Sequence, residues 1–450
     1  MPDLLKVAKF GGTSMADYHA MKRCAGIVGS DPDKKVIVVS ATAGTTNLLT
    51  EFIAESDKER RLDIARRIRF KHLELCNLIQ DKFSPQKKIL GLLDELEQIA
   101  VRTQLMTSML RDDILSFGER LSSELFTAVL SEQTGKDAHC FDVREIMRTD
   151  NNFGSAEPVI EDIARLTEEK LLPFLDHKCI VTQGFIGSDS HGFTTTLGRG
   201  GSDYSAALLA EALDADVLEI WTDVTAIYTT DPRIAEGVKP ITEISFDEAA
   251  ELSVFGAKVL HPATMVPAIR KNIRVYVGSS IEPDKPGTWI VKETKDHPVI
   301  RAVSLRRNQT LLTVHSLDML HRFGFLARLF TLLADHKISV DLVTTSEVSV
   351  ALTLDSDMNT PGKQKLTDEV LVELRSFCEV EIERDLALIA LIGNRLDTTA
   401  GLSGPVFGAL KEINVRLICH GASTHNLCFL VSEKEAEKVV QRLHKTFIES

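Results

Sequence analysis

Short unbroken runs of β-branched and apolar residues alternate with longer stretches of helical spacing over the first two-thirds of the chain. Val7-Ala8-Lys9-Phe10, Lys35-Val36-Ile37-Val38-Val39-Ser40, Cys179-Ile180-Val181-Thr182-Gln183 and Val217-Leu218-Glu219-Ile220-Trp221-Thr222 have the character of strands buried on both faces. Between them, residues 16–28, most of 56–130 (punctuated by Pro85), 204–213 and 246–256 place apolar side chains at helical spacing. Strands alternating with helices predict an α/β sandwich around a mainly parallel sheet. From 283 to 298 the pattern lapses into Pro, Gly and charge, which reads as a linker.

The last third carries another pattern, twice. Leu311-Leu312-Thr313-Val314 matches Leu388-Ile389-Ala390-Leu391, and the same offset of 77 pairs Gly324 with Gly401, Leu333 with Leu410, Val340 with Leu417 and Ser346 with Ser423. No gap is needed. Each copy reads strand, glycine turn, helix, strand, polar turn, strand and helix again, the βαββαβ order of a ferredoxin-like domain. The expected division is an α/β domain over 1–292, a linker or start of the next region over 293–305, and repeats over 306–383 and 384–450.

Composition narrows the partners. A net charge of −13 with no basic tract to offset it argues against nucleic acid and anionic membrane surfaces. No apolar run reaches the length of a bilayer span. The first residues place an acid, Asp3, where a signal peptide wants bases, so the expected location is cytoplasmic. The seven cysteines show no Cys-x-x-Cys spacing and read as reduced core thiols, with no metal site assigned to protein side chains.

Two glycine-rich turns carry the chemistry: Lys9-Phe10-Gly11-Gly12-Thr13-Ser14 and Gly198-Arg199-Gly200-Gly201-Ser202-Asp203. Such turns let backbone N–H groups approach phosphate oxygens, and Lys9 and Arg199 supply positive charge. Three glycines in four positions cost folding entropy, which points to a close approach. Ser202 or Asp203 is also expected to N-cap the helix that follows, which alone would explain that pair. After Trp221, Tyr228 and Arg233 leave a strand end, where a doubly wound sheet binds its ligands, although a solvated loop explains them equally. Lys258 follows a helix and is a second candidate for a phosphate; His261 before Pro262 reads as a turn residue. Glu119, within Phe117-Gly118-Glu119-Arg120, has by itself the look of an exposed helix acid.

Together KFGGTS, SATAGTTNLL, GRGGSDYSAALLAEAL, IWTDV with IYTTDPR, and FGAKVLHPAT resemble the aspartate kinases (aspartokinases) of the amino-acid kinase superfamily, from about residue 7 to the end of the chain. The repeats resemble the paired ACT domains that regulate those enzymes. The stretch HSLDML…GFLA…ISVDLVTTSEVSVALTLD is most similar to the monofunctional, lysine-sensitive type known as aspartokinase III. The resemblance implies phosphorylation of the β-carboxylate of L-aspartate by ATP with Mg²⁺, the first step towards lysine, threonine and methionine. Carried over by position, Lys9 and Asp203 would be catalytic, Lys9 stabilising charge on the phosphoryl group and Asp203 orienting Lys9 and the reacting groups. Thr46, Glu119, Arg199, Gly200, Gly201 and Ser202 would hold aspartate, with Glu119 near its ammonium. Lys9, Phe10, Gly11, Gly12, Thr13, Thr222, Asp223, Tyr228, Arg233, Lys258 and Val259 would bind the nucleotide. Thr225-Ala226 stands where many relatives carry Pro-Gly.

The resemblance also implies inhibition by L-lysine at the first repeat, through Met319, Arg322, Phe325, Leu326, Ser339, Val340, Asp341, Ser346 and Glu347. Arg322-Phe323 stands where the family often shows Ser-Arg. Asp341 and Glu347 align with Ile418 and Thr424 of the second repeat, so only the first copy is expected to bind the diamine. A homodimer through the ACT domains is implied, which could pair again into a dimer of dimers. Two rivals are a kinase of glutamate or N-acetylglutamate, which would not be expected to carry the tandem repeat or IYTTDPR, and a non-catalytic amino-acid sensor, against which intact Lys9, Arg199 and Asp203 argue.

Overall fold

The first apolar run forms β1 (Lys6–Phe10), central in an eight-stranded sheet of the computed structural model, which describes residues 4–81, 83–102, 105–256, 260, 262–320, 323–354 and 366–449. The chain divides into two compact units. One comprises Met1–Ile227, Pro240–Phe246 and Lys258–Thr294; the other comprises Tyr228–Lys239, Asp247–Ala257 and Lys295–Ser450.

After β1 come α1 (Tyr18–Gly29), β2 (Lys34–Val39), α2 (Thr45–Ala54) and three long helices, α3 (Lys58–Asn77), α4 (Phe83–Val101) and α5 (Ser108–Thr134). β3 (Ala138–Phe141), α6 (Ile160–Lys170) and β4 (Cys179–Gln183) lead to a hairpin of β5 (Ile186–Ser188) and β6 (Thr194–Thr196), then α7 (Gly201–Ala212) and β7 (Val217–Thr222). β8 (Glu243–Ser245), α8 (Phe246–Val254), α9 (Pro262–Lys271), β9 (Arg274–Ser279) and β10 (Thr288–Val291) follow. The sheet order is β3-β4-β2-β1-β7-β9-β10-β8, and the first six strands are parallel. The chain steps outward on one side of β1 through β2 and β4 and on the other through β7 and β9. That reversal opens a crevice at the carboxyl ends of the strands. Phe10, Val39, Gln183 and Trp221 are aligned there by register.

Helices cover the strands, so Phe10, Ile37, Val39, Phe52, Phe117, Leu121 and Phe126 are buried in one cluster. Phe10 stacks on Trp221 at 6.2 Å between ring centroids. Its side chain is core, which leaves only its backbone to face a ligand. The stretch 283–298, read as a linker, contains β10. Four residues flanked by Pro286 and Gly287 are too few to show a period.

The second unit holds β11 (Ile300–His315), α10 (Phe325–Asp335), β12 (Val340–Thr345), β13 (Ser349–Leu354), α11 (Asp368–Arg375), β14 (Glu379–Gly393), α12 (Ser403–Gly408), β15 (Leu417–His420), β16 (Asn426–Ser432) and α13 (Ala436–His444). They form a six-stranded sheet in the order β12-β13-β11-β14-β16-β15. The 77-residue offset is visible in the backbone: Asn308 (φ 58°) matches Asp385 (φ 57°), and Gly324 (φ 93°) matches Gly401 (φ 83°). The repeat is not a simple tandem. The first half of β14 closes the first copy against Leu311–His315, so the second copy takes its closing strand from Ile300–Arg306, which precedes both. Each copy keeps its own core, Leu312, Leu329 and Leu352 in the first and Ile389, Val406 and Phe429 in the second.

Among the described residues no helix is long and apolar enough to cross a membrane. None of the seven cysteines forms a disulfide, and Cys24, Cys76, Cys179, Cys378 and Cys428 are buried.

Candidate functional site

Lys9 lies on β1 with its side chain 11% exposed, and its Nζ is 2.5 Å from Asp203 Oδ1. The contact balances charge without hydrogen-bond alignment, so Asp203 Oδ1 is buried without an aligned donor. The two glycine turns therefore meet through their charged members. Gly11 donates its N–H to Trp221 O at 3.2 Å. A Cβ on Gly11 would sit 3.5 Å from Lys9 Nζ, so the first turn passes close over the ammonium. Ser14 Oγ and Ser280 Oγ are 2.7 Å apart, and Ser280 Oγ donates to Thr222 O at 3.1 Å, tying that turn to the end of β7.

The second turn departs from expectation. α7 begins at Gly201, earlier than Tyr204, because Gly200 in the left-handed region (φ 71°) acts as N-cap. Ser202 and Asp203 are the second and third residues of the helix and do not cap it. α2 starts the same way, from Gly44 (φ 77°) with no side-chain cap. By contrast α1, α3 and α5 are capped by Asp17, Asp57 and Thr107. Helix starts without side-chain caps are suited to receive anions on backbone N–H groups. Thr46, the second residue of α2, is exposed, as is Arg199.

Glu119 is not an exposed acid. It is 5% exposed, its Oε1 accepts from Ala41 N at 3.1 Å, and burial pushes its carboxyl up to about 8. Gly118 beside it allows this approach: a Cβ there would fall 2.8 Å from Ala41 Cβ. Two residues that sequence reasoning missed, Lys71 and His72, reach the same loop from α3. His72 Nε2 is 3.2 Å from Thr42 Oγ1, and Lys71 Nζ donates to Ala43 O and to Thr45 Oγ1, the latter at 3.1 Å. Burial lowers both, His72 to about 4.

Of the residues assigned to the nucleotide, Thr222 donates its hydroxyl to Asp223 Oδ1 at 3.2 Å, and Asp223 is exposed. Tyr228 and Arg233 fall in the second unit. There Arg233 forks onto Asp231 at 3.0 and 2.7 Å, and the loop is held by Thr229 Oγ1 at 2.9 Å from His444 Nε2 and by Gln441 Nε2 donating to Ile234 O at 2.7 Å. Lys258 and Val259 lie outside the described residues, as does Arg322.

In the first repeat α10 starts from Gly324 with no side-chain cap. Met319 and Phe325 pack at the edge of that core, Phe325 against Phe377 at 5.8 Å, and Leu326 is exposed. Ser339 precedes β12 and Val340 begins it. Asp341 Oδ2 is 2.9 Å from Arg306 Nη1. Ser346 turns the chain into β13, its hydroxyl accepting from Ser349 N at 3.1 Å, and Glu347 is exposed. In the second repeat Ser423 Oγ and Asn426 Nδ2 donate to the two oxygens of Glu251 at 2.6 and 2.7 Å. Among the described residues no group of three or more His, Cys, Asp and Glu could hold a metal ion.

The model of the amino acid kinase family matches residues 5–279, and an ACT domain model matches residues 389–447. The chain is 52% identical to the lysine-sensitive aspartokinase 3 of Escherichia coli (strain K12), covering 98% of this chain and 99% of that protein. It is 38% identical to the chloroplastic aspartokinase 1 of Arabidopsis thaliana, covering 99% and 80%. Among solved structures, E. coli aspartokinase III in complex with aspartate and ADP (R-state) matches with a TM-score of 0.88 at 50% identity, covering 98% of this chain and 99% of that one. The same enzyme with lysine and aspartate (T-state) matches with a TM-score of 0.85 at 50% identity, covering 99% of each.

Proposed function

The chain belongs to the aspartokinases of the amino-acid kinase family, and we propose that it transfers the γ-phosphoryl group of ATP to the β-carboxylate of L-aspartate, under feedback inhibition by L-lysine at its first ACT repeat. The observation that carries the reading is the Lys9–Asp203 pair at a crevice where two helices start from left-handed glycines without side-chain caps. Similarity over 98% of the chain to an enzyme solved with aspartate and ADP supports aspartate and an adenine nucleotide as the reactants.

No general base is needed, because a β-carboxylate is ionised at pH 7 and attacks as it stands. The barrier is repulsion between two anions, so positioned positive charge and backbone donors do the work. Lys9 stabilises charge on the phosphoryl oxygens, while Gly11, Gly12 and Thr13 line its path. Arg199 and the start of α7 hold one carboxylate of aspartate. Glu119, buried beside Ala41, faces its ammonium. Thr222 and Asp223, at the end of β7, contact the nucleotide. Mg²⁺, carried on the triphosphate oxygens, would neutralise part of their charge when bound.

In the first repeat a lysine carboxylate fits the start of α10 at Gly324, and its ammonium groups fit Asp341 and Glu347. Inhibition requires lysine to bind two states of an ACT-linked homodimer unequally. The test is a coupled ADP-release assay across aspartate, glutamate and N-acetylglutamate, repeated with lysine and with threonine. Turnover on aspartate alone, suppressed by lysine, is expected. Turnover on glutamate alone would overturn the substrate, and suppression by threonine alone would overturn the effector.

A further inference from the structure

Helix α3 meets the loop before α2 through a chain of hydrogen bonds whose direction is forced by its two ends. His72 Nδ1 lies 2.8 Å from Ile68 O. A carbonyl only accepts, so Nδ1 carries the ring proton. At the far end the Lys71 ammonium, which only donates, contacts Ala43 O and lies 3.1 Å from Thr45 Oγ1. Between the ends, Thr45 Oγ1 is 2.6 Å from Thr42 Oγ1, which is 3.2 Å from His72 Nε2.

With His72 neutral, every group finds its partner. Lys71 donates to Thr45, Thr45 to Thr42, and Thr42 to Nε2. With His72 protonated, both ends donate inward and one hydroxyl hydrogen has no acceptor along the chain. Thr42, Thr45 and His72 are at most 1% exposed, so water does not replace the missing acceptor. Burial, which holds the imidazole well below its ordinary range, acts in the same direction.

The chain ends at the start of α2. Thr45 is the first residue of that helix and Thr46 the second, behind Gly44 in its left-handed conformation. We propose that Lys71 and His72 are positioning residues for the acidic substrate: the ordered chain holds the first turn of α2, so that its N–H groups and Thr46 are fixed to receive a carboxylate. Lys71 also brings a half-buried positive charge to that turn. This inference rests on the reading of Thr46 and Glu119 as aspartate contacts.

Two measurements test it on the full chain. In histidine-labelled protein at pH 7, ¹⁵N NMR should show His72 as the neutral Nδ1–H tautomer; an Nε2–H tautomer or an imidazolium would overturn the proposal. Steady-state kinetics should then separate the two substrates. Lys71→Met, Thr42→Val and Thr45→Val should each raise KM for aspartate about tenfold, the effect of one lost buried hydrogen bond, with KM for ATP unchanged. Thr42→Ser and Thr45→Ser, which keep the hydroxyls, should restore it. Val variants with unchanged KM for aspartate, or with both Michaelis constants raised together, would overturn the proposal while leaving the functional reading standing. A wild-type protein inactive on aspartate would overturn both.

Discussion

Lys9 Nζ and Asp203 Oδ1 meet at 2.5 Å, one on the first strand and the other in the first turn of the seventh helix. Asp203 Oδ1 is buried and has no aligned donor. The pair is arranged to hand the ammonium to an incoming anion. Lys9→Met, which keeps the apolar stem, should lower kcat by about 10²- to 10³-fold, the loss seen when one positioned donor to transition-state charge is removed. Lysine binding, followed by calorimetry, should be unchanged, because the proposed lysine contacts belong to the other unit. A Lys9→Met protein retaining more than a tenth of wild-type kcat would sink the assignment.

The reading of Glu119 as the contact for the substrate ammonium predicts that binding aspartate releases a proton. Its carboxyl titrates near 8 against an ordinary 4.5, so at pH 7 the free protein holds the proton. An arriving ammonium favours the carboxylate and expels it. Calorimetry in buffers of different ionisation enthalpy should find release approaching one proton per aspartate at pH 7, fading above pH 9, and none for Glu119→Gln. Stability carries the same signature. Between about 4.5 and 8 the folded chain binds more protons than the unfolded one, so stability falls as pH rises through that window. Glu119→Gln should flatten the fall, read as the pH dependence of the urea midpoint.

Lys9, Arg199 and Asp203 were legible in the sequence because glycines are costly and were clustered beside them. The parallel sheet was legible because strands covered on both faces lose all alternation. Glu119 was not, since nothing in Phe117-Gly118-Glu119-Arg120 tells which face of a 27-residue helix packs inward. Lys71 and His72 were missed for a related reason: they meet Thr42 and Thr45 only after α3 folds back on the loop. The repeat showed its period in Gly324 and Gly401 but hid its topology. The strand that closes the second copy, Ile300–Arg306, lies ahead of the first, where no comparison between copies looks for it.

Arg306 stands where an effector ammonium is expected. Its Nη1 is 2.9 Å from Asp341 Oδ2, and the two side chains are 15% and 22% exposed. A lysine ammonium binding Asp341 competes with that guanidinium. Arg306→Gln should therefore tighten lysine binding by about three- to tenfold, given that partly exposed ion pairs contribute about 1 kcal/mol. Asp341→Ala should weaken it by at least as much. Titrations in which Arg306→Gln weakens binding would show that the guanidinium assists the effector instead.

The second repeat should bind no lysine, for two independent reasons. Ile418 and Thr424 stand where the first repeat has Asp341 and Glu347, so the acids that a diamine needs are missing. Ser423 and Asn426, the counterparts of Ser346 and Ser349, already donate to Glu251 from α8 at 2.6 and 2.7 Å. A carboxylate of this chain thus engages Ser423, the counterpart of the proposed lysine contact Ser346. Calorimetry should give one lysine per chain, and Asp341→Ala should remove all saturable binding. Glu251→Ala should free the donors without adding a second site, because no anionic partner for the ammonium groups appears with them. A stoichiometry of two in either the wild type or Glu251→Ala would refute this division between the repeats.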